Sequence, residues 1–420
     1  MKYVIVIPDG AADLPIEHLD GRTPFQAART PSLDRLALSG RVGTAATTPP
    51  GFGAGSDVCT MDLLGCDPRE FHTGRAPLEA AALGIEAAET DWLFRINLVT
   101  VGESEADEGL MLDHSAGAIT DAEALELLEA LREAWAESPR GAAPTLHHGV
   151  GYRGIVVDAQ DHAATITTGP HEFPQQPWDR YLPKGGDGAD RVRDLMLASL
   201  DVLRDHPVNA ARRAAGKRPA NMAWLWGQGT RPALPSFKER FALRGAMLTS
   251  VDLLRGIARL IGWDLIDCPG LTSYHDTDYA AQGRATIDAL RDYDLVCCHV
   301  EAPDEASHQG DWRTKVASLE AIDRHVIAPI HEHLLTLGDP QDDPRAEGWR
   351  MLILPDHYTL CSTRKHDPTP VPFAMAGSWV RSVVQRHLTE PEADASDLHI
   401  DPGSDLMEYF LRSGIRGRSV

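Results

Sequence analysis

Positive charge is scarce in this chain: 40 Lys and Arg against 62 Asp and Glu leave a formal net charge of −22 over 420 residues. A general phosphate-backbone binder needs the opposite sign, so nucleic acid is not an expected partner. An anionic substrate would also be repelled by that field, and a site for one needs local cations or metal ions to reverse it. Long apolar runs are missing, with none approaching the roughly 18 residues of a membrane span. The apolar run near the start closes in Pro8-Asp9 rather than in a small-residue cleavage site. Neither membrane insertion nor secretion is expected. Six cysteines (Cys59, Cys66, Cys268, Cys297, Cys298, Cys361) make no Cys-x-x-Cys pair, which fits a cytoplasmic compartment where thiols stay reduced. Gly-Lys-Ser/Thr is absent, excluding a P-loop. No repeat or low-complexity tract is evident. Hydrophobic residues nevertheless make up 43% of the chain, enough for a sizeable globular core.

The length predicts two or three domains at about 100–200 residues each. Short apolar runs at Tyr3 to Ile7, Leu295 to Val300 and Met351 to Leu354 read as strands buried on both faces, the pattern of a parallel sheet under helices. Helical stripes lie between them: Val316, Leu319, Ile322 and Val326, then Val251, Leu254, Ala258 and Ile261 closed by Gly262. The alternation predicts an α/β core. In the middle, Thr120 and Glu123 form a capping box ahead of a helix carrying Leu125, Leu128, Leu131 and Trp135. Pro- and Gly-rich loops follow at Ser138 to Pro144 and Gly169 to Gly188. Residues 97–220 are read as an inserted α+β cap domain, leaving 1–96 and 221–420 as the core. Pro340 to Glu347 reads as a solvated loop.

In an open α/β sheet, ligands gather outside the carboxyl ends of the strands. The three runs lead into Pro8-Asp9-Gly10, Glu301-Ala302-Pro303-Asp304 and Pro355-Asp356-His357. Asp304 and His308, four apart, share a face on the first turn of a helix and suit one metal ion. Asp356 and His357 are neighbours at a strand end, where alternate side chains point opposite ways and serve two adjacent ions. His366 follows nine residues on. Such an Asp/His set suits Mn²⁺, Zn²⁺ or Mg²⁺. Taken singly, a strand-terminal aspartate is more often a cap or turn residue, and lone histidines such as His18, His206, His331 and His387 are more often packing or surface residues. The glycine-rich Gly51-Phe52-Gly53-Ala54-Gly55-Ser56-Asp57 permits positive φ and close approach, so Ser56 is a candidate metal ligand and nucleophile; an ordinary turn is the alternative. Cys66-Asp67-Pro68-Arg69 places its arginine one position early for a sulfatase motif.

These segments together resemble the alkaline phosphatase superfamily, and within it the archaeal-type 2,3-bisphosphoglycerate-independent phosphoglycerate mutases. The resemblance is carried by Pro8-Asp9-Gly10, Thr23-Pro24 with Ala27-Ala28 and Thr30-Pro31, Gly55-Ser56-Asp57, Leu64-Gly65-Cys66-Asp67-Pro68 and Thr73-Gly74-Arg75-Ala76-Pro77-Leu78-Glu79-Ala80. Asp276-Thr277-Asp278-Tyr279, Asp304-Glu305-Ala306-Ser307-His308 and Lys365-His366-Asp367-Pro368 extend it over nearly the whole chain. It implies two divalent ions, Mn²⁺ foremost with Zn²⁺, Mg²⁺ or Co²⁺ as alternatives. One would be held by Asp304, His308 and His366, the other by Asp9, Ser56, Asp356 and His357. It further implies that Ser56 takes the phosphoryl group of 3-phosphoglycerate and returns it to the 2-hydroxyl of glycerate, with the inserted domain as a lid against water. Arg75, Arg364 and Lys365 are the candidate anchors for a small phosphorylated substrate, and Asp57 a candidate general base.

Two stretches depart from the family pattern. Val58-Cys59-Thr60 stands where the mutases carry a histidine after Gly-Ser-Asp, and Leu112-Asp113-His114-Ser115-Ala116-Gly117-Ala118 stands where they carry an arginine-rich stretch. The latter, with Val300-Glu301-Ala302-Pro303-Asp304-Glu305-Ala306, is similar to a branch proposed to act as homoserine kinases. Phosphotransfer to another small hydroxyl compound, or metal-dependent hydrolysis of a phosphate ester, are the alternative activities.

Overall fold

The computed structural model describes residues 1–136 and 141–414. The expected loop at Ser138 to Pro144 therefore falls partly outside the described residues. The chain divides into two compact units: Met1–His72 with Ala233–Val420, and Thr73–Pro232. The stretch 97–220 lies inside the second unit, which starts 97 − 73 = 24 residues before it and ends 232 − 220 = 12 after it.

The first unit is built on an eight-stranded sheet in the order His399–Ile400, Arg41–Ala45, Val371–Gly377, Trp349–Ile353, Lys2–Pro8, Leu295–Val300, Gly245–Leu248 and Asp264–Leu265. Only Val371–Gly377 runs against the rest. The three apolar runs read from the sequence are adjacent at its centre: Lys2–Pro8 pairs in parallel with Leu295–Val300 on one side and Trp349–Ile353 on the other. Ile5, Val296, Cys297 and Leu352 have no solvent exposure, as strands covered on both faces require. Parallel pairing puts all three carboxyl ends on one edge, with Pro8 opposite Val300. The sequence-distant Asp9, Glu301 and Asp356 thus emerge together.

Helix Asp252–Leu260 packs Leu254, Ile257 and Ala258 inward, and Gly262 takes φ +82 just past it. The stripe from Val316 to Val326 begins in helix Trp312–Ile322 and passes into a π-helical turn, Asp323–Ile327. Asp323 there accepts from the backbone N–H groups of Ser32 and Leu33 at the start of helix Pro31–Ser39.

The second unit is an antiparallel sheet centred on Trp92–Val101, which pairs with Met111–Asp113, Arg153–Asp158 and Met222–Thr230. Thr145–His148 extends it beyond Arg153–Asp158. Phe94, Ile96 and Leu98 join a core with Leu127, Leu128, Leu131 and Trp135 of helix Asp121–Ala136 and with Val192, Leu195 and Met196 of helix Gly186–Leu203. The capping box is present: Thr120 N–H donates to Glu123 Oε2 at 3.1 Å, and Glu123 N–H to Thr120 Oγ1 at 3.4 Å. Leu125, expected on the apolar stripe, is 52% exposed; Ala124 and Leu127 take the inward positions, because a 3.6-residue period through Leu128 and Leu131 selects them.

Candidate metal centre and nucleophile

Asp9 leaves its strand at the point where its N–H donates to Val300 O at 3.0 Å, and its side chain has no solvent exposure. Asp304 and His308 share a face of helix Ala302–His308, with Asp304 Oδ2 and His308 Nε2 3.2 Å apart. The hairpin Tyr358–Leu360 with Lys365–Asp367 brings back His366, whose Nε2 lies 3.5 Å from Asp304 Oδ1 and 2.9 Å from His308 Nε2. Asp356 and His357 do not point apart as strand alternation suggested. They follow the end of Trp349–Ile353 in a bend, and His357 Nε2 lies 3.3 Å from Asp356 Oδ2 and 3.5 Å from Asp9 Oδ1. All six of these candidate ligands therefore converge.

Ser56 is the first residue of helix Ser56–Leu63, and its Oγ is 3.1 Å from His357 Nε2. In the preceding loop only Gly51 takes positive φ, +92, while Gly55 is extended at φ −91. The loop thus turns once and then delivers Ser56 on an extended backbone. Asp57 points into the protein, where His72 Nε2–H donates to its Oδ2 at 3.0 Å. Arg364 contributes its carbonyl rather than its guanidinium: its O accepts from His308 Nδ1–H at 3.0 Å. Lys365 is exposed on the hairpin. Arg75 begins helix Arg75–Leu83 of the second unit.

Three neighbours are not among the candidate ligands read from the sequence. Thr359, fully buried, donates its hydroxyl proton to Asp304 Oδ1 at 2.5 Å and lies 3.1 Å from His357 Nδ1. With that single proton given to a carboxylate, its oxygen accepts from His357 Nδ1–H. His299 Nε2 is 2.8 Å from Asp9 Oδ2, and its Nδ1 is 3.0 Å from Thr249 Oγ1. Glu301, with Asp9 and His299, forms a further group whose ligand atoms lie within 4.8 Å of one another.

The cluster's electrostatics fit a bound cation. Asp9 Oδ1, Glu301 Oε2 and Asp356 Oδ2 are buried without a hydrogen-bond donor. Burial, and then the charges of Asp356 and Asp304, push the Asp9 carboxyl well above its usual range; burial followed by Asp9 does the same to Glu301. Burial also acts against the Asp304 carboxylate, yet hydrogen bonds from His308 and His366 hold its pKa well below the ordinary value. Reciprocally, the hydrogen bond to Asp304 raises His308 to about 9. Burial lowers His357. Because His357 Nδ1 is committed to the Thr359 hydroxyl oxygen and burial favours its neutral ring, the His357 Nε2 lone pair faces the carboxylates. Lone pairs and carboxylate oxygens crowded in a dry site repel one another, and a divalent ion is the charge that reconciles them.

A family model described as 2,3-bisphosphoglycerate-independent phosphoglycerate mutase matches residues 37–209. A protein so named from Methanothrix thermoacetophila is 45% identical over 411 residues, spanning 98% of this chain and 100% of the relative. The chain belongs to the 2,3-bisphosphoglycerate-independent phosphoglycerate mutase family. A second mutase of this family, from Methanothermobacter thermautotrophicus, is 43% identical over 100% of this chain and 99% of its own length. Among solved structures, a protein from Pyrococcus horikoshii superposes with TM-score 0.80 at 27% identity, covering 100% of this chain and 99% of its own. The cofactor-independent phosphoglycerate mutase of Thermoplasma acidophilum gives TM-score 0.64 at 25% identity, covering 98% and 99%. Like-named relatives along the whole length place the mixed α/β architecture in this family. Among the described residues no helix is long and apolar enough to cross a membrane.

Proposed function

We propose that this family member interconverts 3-phosphoglycerate and 2-phosphoglycerate through a phosphoserine at Ser56. The observation that carries the reading is the Ser56 hydroxyl, 3.1 Å from His357 Nε2 at the margin of a buried Asp/His cluster. The names of the full-length relatives support a mutase rather than the homoserine phosphotransferase or hydrolase alternatives.

Asp304, His308 and His366 would hold one divalent cation, and Asp9, Asp356, His357 and Ser56 a second, with Mn²⁺ the first choice and Zn²⁺, Mg²⁺ or Co²⁺ the others. Bound there, the cations supply charge neutralisation for phosphoryl oxygens and a lowered pKa for the Ser56 hydroxyl. Ser56 Oγ forms a bond to phosphorus as the bond between phosphorus and the glycerate 3-oxygen breaks. That oxygen takes up a proton. Glycerate then reorients, its 2-oxygen bonds to phosphorus as the Ser56 Oγ–P bond breaks, and the proton of the 2-hydroxyl passes to Ser56 Oγ. Asp57, kept in place by His72, is the proposed proton acceptor at this end of helix Ser56–Leu63. Thr359 sets the His357 tautomer, and the Arg364 carbonyl sets that of His308. Arg75, Arg364 and Lys365 remain the proposed anchors for substrate oxyanions.

The test is phosphorus NMR of Mn²⁺-loaded protein with 3-phosphoglycerate, beside a second sample holding ATP and homoserine. Appearance of 2-phosphoglycerate in the first, with no phosphohomoserine in the second, is expected. Phosphohomoserine alone would overturn the reading.

A further inference from the structure

Asp9 and Asp356 each divide their two carboxylate oxygens between scaffold and site. Asp356 Oδ1 accepts from the backbone N–H groups of Gly10 at 3.2 Å and His357 at 3.1 Å, while its Oδ2 has no donor. Asp9 is split the same way, with Oδ1 unpartnered and Oδ2 2.8 Å from His299 Nε2. For Asp9, however, the holding group is a side chain from a neighbouring strand.

His299 lies on strand Leu295–Val300, where it is the register partner of Ile7, two residues before Asp9. The next strand, Gly245–Leu248, ends one residue before Thr249, whose Oγ1 is 3.0 Å from His299 Nδ1. Thr249, His299 and Asp9 thus form a row across the ends of three adjacent parallel strands, and none is more than 1% exposed.

A histidine in an otherwise apolar strand costs solvation unless both ring nitrogens are partnered, and here both are. A satisfied packing residue is the plain reading, and the direction of the hydrogen bonds takes it further. With a cation on Oδ1 the Asp9 carboxylate is ionised and can only accept, so His299 Nε2 carries the ring's hydrogen and donates it to Oδ2. The Thr249 hydroxyl already accepts from Val251 N–H at 3.1 Å, just ahead of helix Asp252–Leu260, and gives its single proton to Nδ1. Nε2 then has no lone pair to offer and is not itself a ligand, although it lies with Asp9 and Glu301 in a group spanning 4.8 Å. Glu301 Oε2, 3.7 Å from Nε2, is too far to take that hydrogen bond from Asp9.

We propose that His299 is a positioning residue for Asp9: donation from Nε2 ties down Oδ2, so that Asp9 presents Oδ1 alone, in one orientation, to the second cation. A carboxylate tethered in this way meets the ion already oriented, and such outer partners strengthen metal binding by about 10–100-fold. The inference rests on the assignment of Asp9 to that cation and is independent of which hydroxyl compound accepts the phosphoryl group.

The test titrates Mn²⁺ into chelator-stripped full-length protein and follows the free ion by electron paramagnetic resonance. Two binding events are expected in the parent. His299→Leu should weaken one of them by about 10–100-fold and leave the other within about twofold. Glutamine places an amide N–H near the position of Nε2, so His299→Gln should recover most of the loss, which a packing role would not produce. Thr249→Val keeps the Nε2 contact but frees the ring, and should weaken the same event by less. If circular dichroism shows that His299→Leu does not fold, Thr249→Val carries the test, and binding like that of the parent would then overturn the proposal. A folded His299→Leu protein that binds both ions like the parent, or a His299→Gln protein as weak as His299→Leu, would also overturn it. So would a third equivalent of Mn²⁺ that disappears in His299→Leu, since Nε2 would then be a ligand. Asp9→Asn separates the two levels. If that variant keeps both events, the cation assignment falls and the role of His299 with it; if it loses an event that His299→Leu retains, only the role of His299 falls.

Discussion

Replacing Thr359 by Val removes one hydroxyl from a fully buried position and keeps the side chain's shape. Two interactions go with it: the 2.5 Å bond donated to Asp304 Oδ1 and the 3.1 Å contact that fixes the His357 tautomer. A hydrogen bond to a charged partner contributes about 1.5–3 kcal/mol. Loss of an outer partner of a metal ligand weakens metal affinity by about 10–100-fold, the same range in free energy. Since Thr359 touches a candidate ligand of each ion, both binding events should weaken. Titration of Mn²⁺ into chelator-stripped protein reads this directly, with turnover at saturating Mn²⁺ as a second measurement. The variant should bind about 10–100-fold more weakly and recover much of its activity when Mn²⁺ is raised. Affinities within about twofold of the parent would show that the hydroxyl orients neither ligand, and the tautomer argument for His357 would fall.

Ser56→Ala should abolish turnover and leave cation stoichiometry unchanged; mass spectrometry should find phosphoserine only in the parent, and residual turnover would refute the covalent step. Asp304→Asn should reduce activity by about a hundredfold or more, whereas Asp367→Asn, whose carboxylate accepts from Thr369 in the local turn, should stay within about twofold. Equal losses would undo the assignment of Asp304. Glu390, buried with Thr23 Oγ1–H and Asp13 N–H as donors, is raised by burial from 4.5 to about 7, so the folded state holds a proton that the unfolded state releases. Stability therefore falls as pH rises between those two values, by (7 − 4.5) × 1.36, or about 3 kcal/mol. Glu390→Gln should gain on the parent in urea unfolding from pH 5 to pH 8, and a pH-independent difference would reject the shift.

The centre of the fold was legible because three short, largely apolar runs rich in Val, Ile, Leu and Cys suit strands covered on both faces, and parallel pairing then forces their terminal carboxylates onto one edge. Asp304 with His308 was legible for a similar reason: four residues is one helical turn. Asp356 and His357 resisted the same logic because they lie beyond the strand, where alternation no longer holds. The partners of the ligands were not legible. Thr359 and His299 are ordinary strand residues until the fold brings Asp304 and Asp9 to them. The ends of the second unit, at 73 and 232, carry no compositional mark, since helix Arg75–Leu83 and strand Met222–Thr230 read like any other core elements.

Four residues after Asp9, the same segment carries a second buried carboxylate, Asp13, in the opposite situation. Lys315 Nζ donates to Asp13 Oδ2 at 3.0 Å, to Ala12 O at 3.1 Å and to Thr359 O at 2.7 Å, so all three ammonium protons are placed. Asp13 Oδ2 also accepts from Cys361 N–H. This pair is complete within the protein, and removing either member strands the other in a dry interior. Asp9, Asp356 and Glu301 instead retain oxygens with no donor. Buried carboxylates in that condition weigh against folding, so their value to the molecule lies in what they bind. The two groups should respond oppositely to substitution. Lys315→Met should lower thermal stability whether or not cation is present, whereas Asp9→Asn should remove cation affinity and the cation-dependent part of stability while leaving the cation-free protein at least as stable as the parent. A Lys315→Met protein that melts like the parent, or an Asp9→Asn protein still stabilised by Mn²⁺, would break the distinction between scaffold and site.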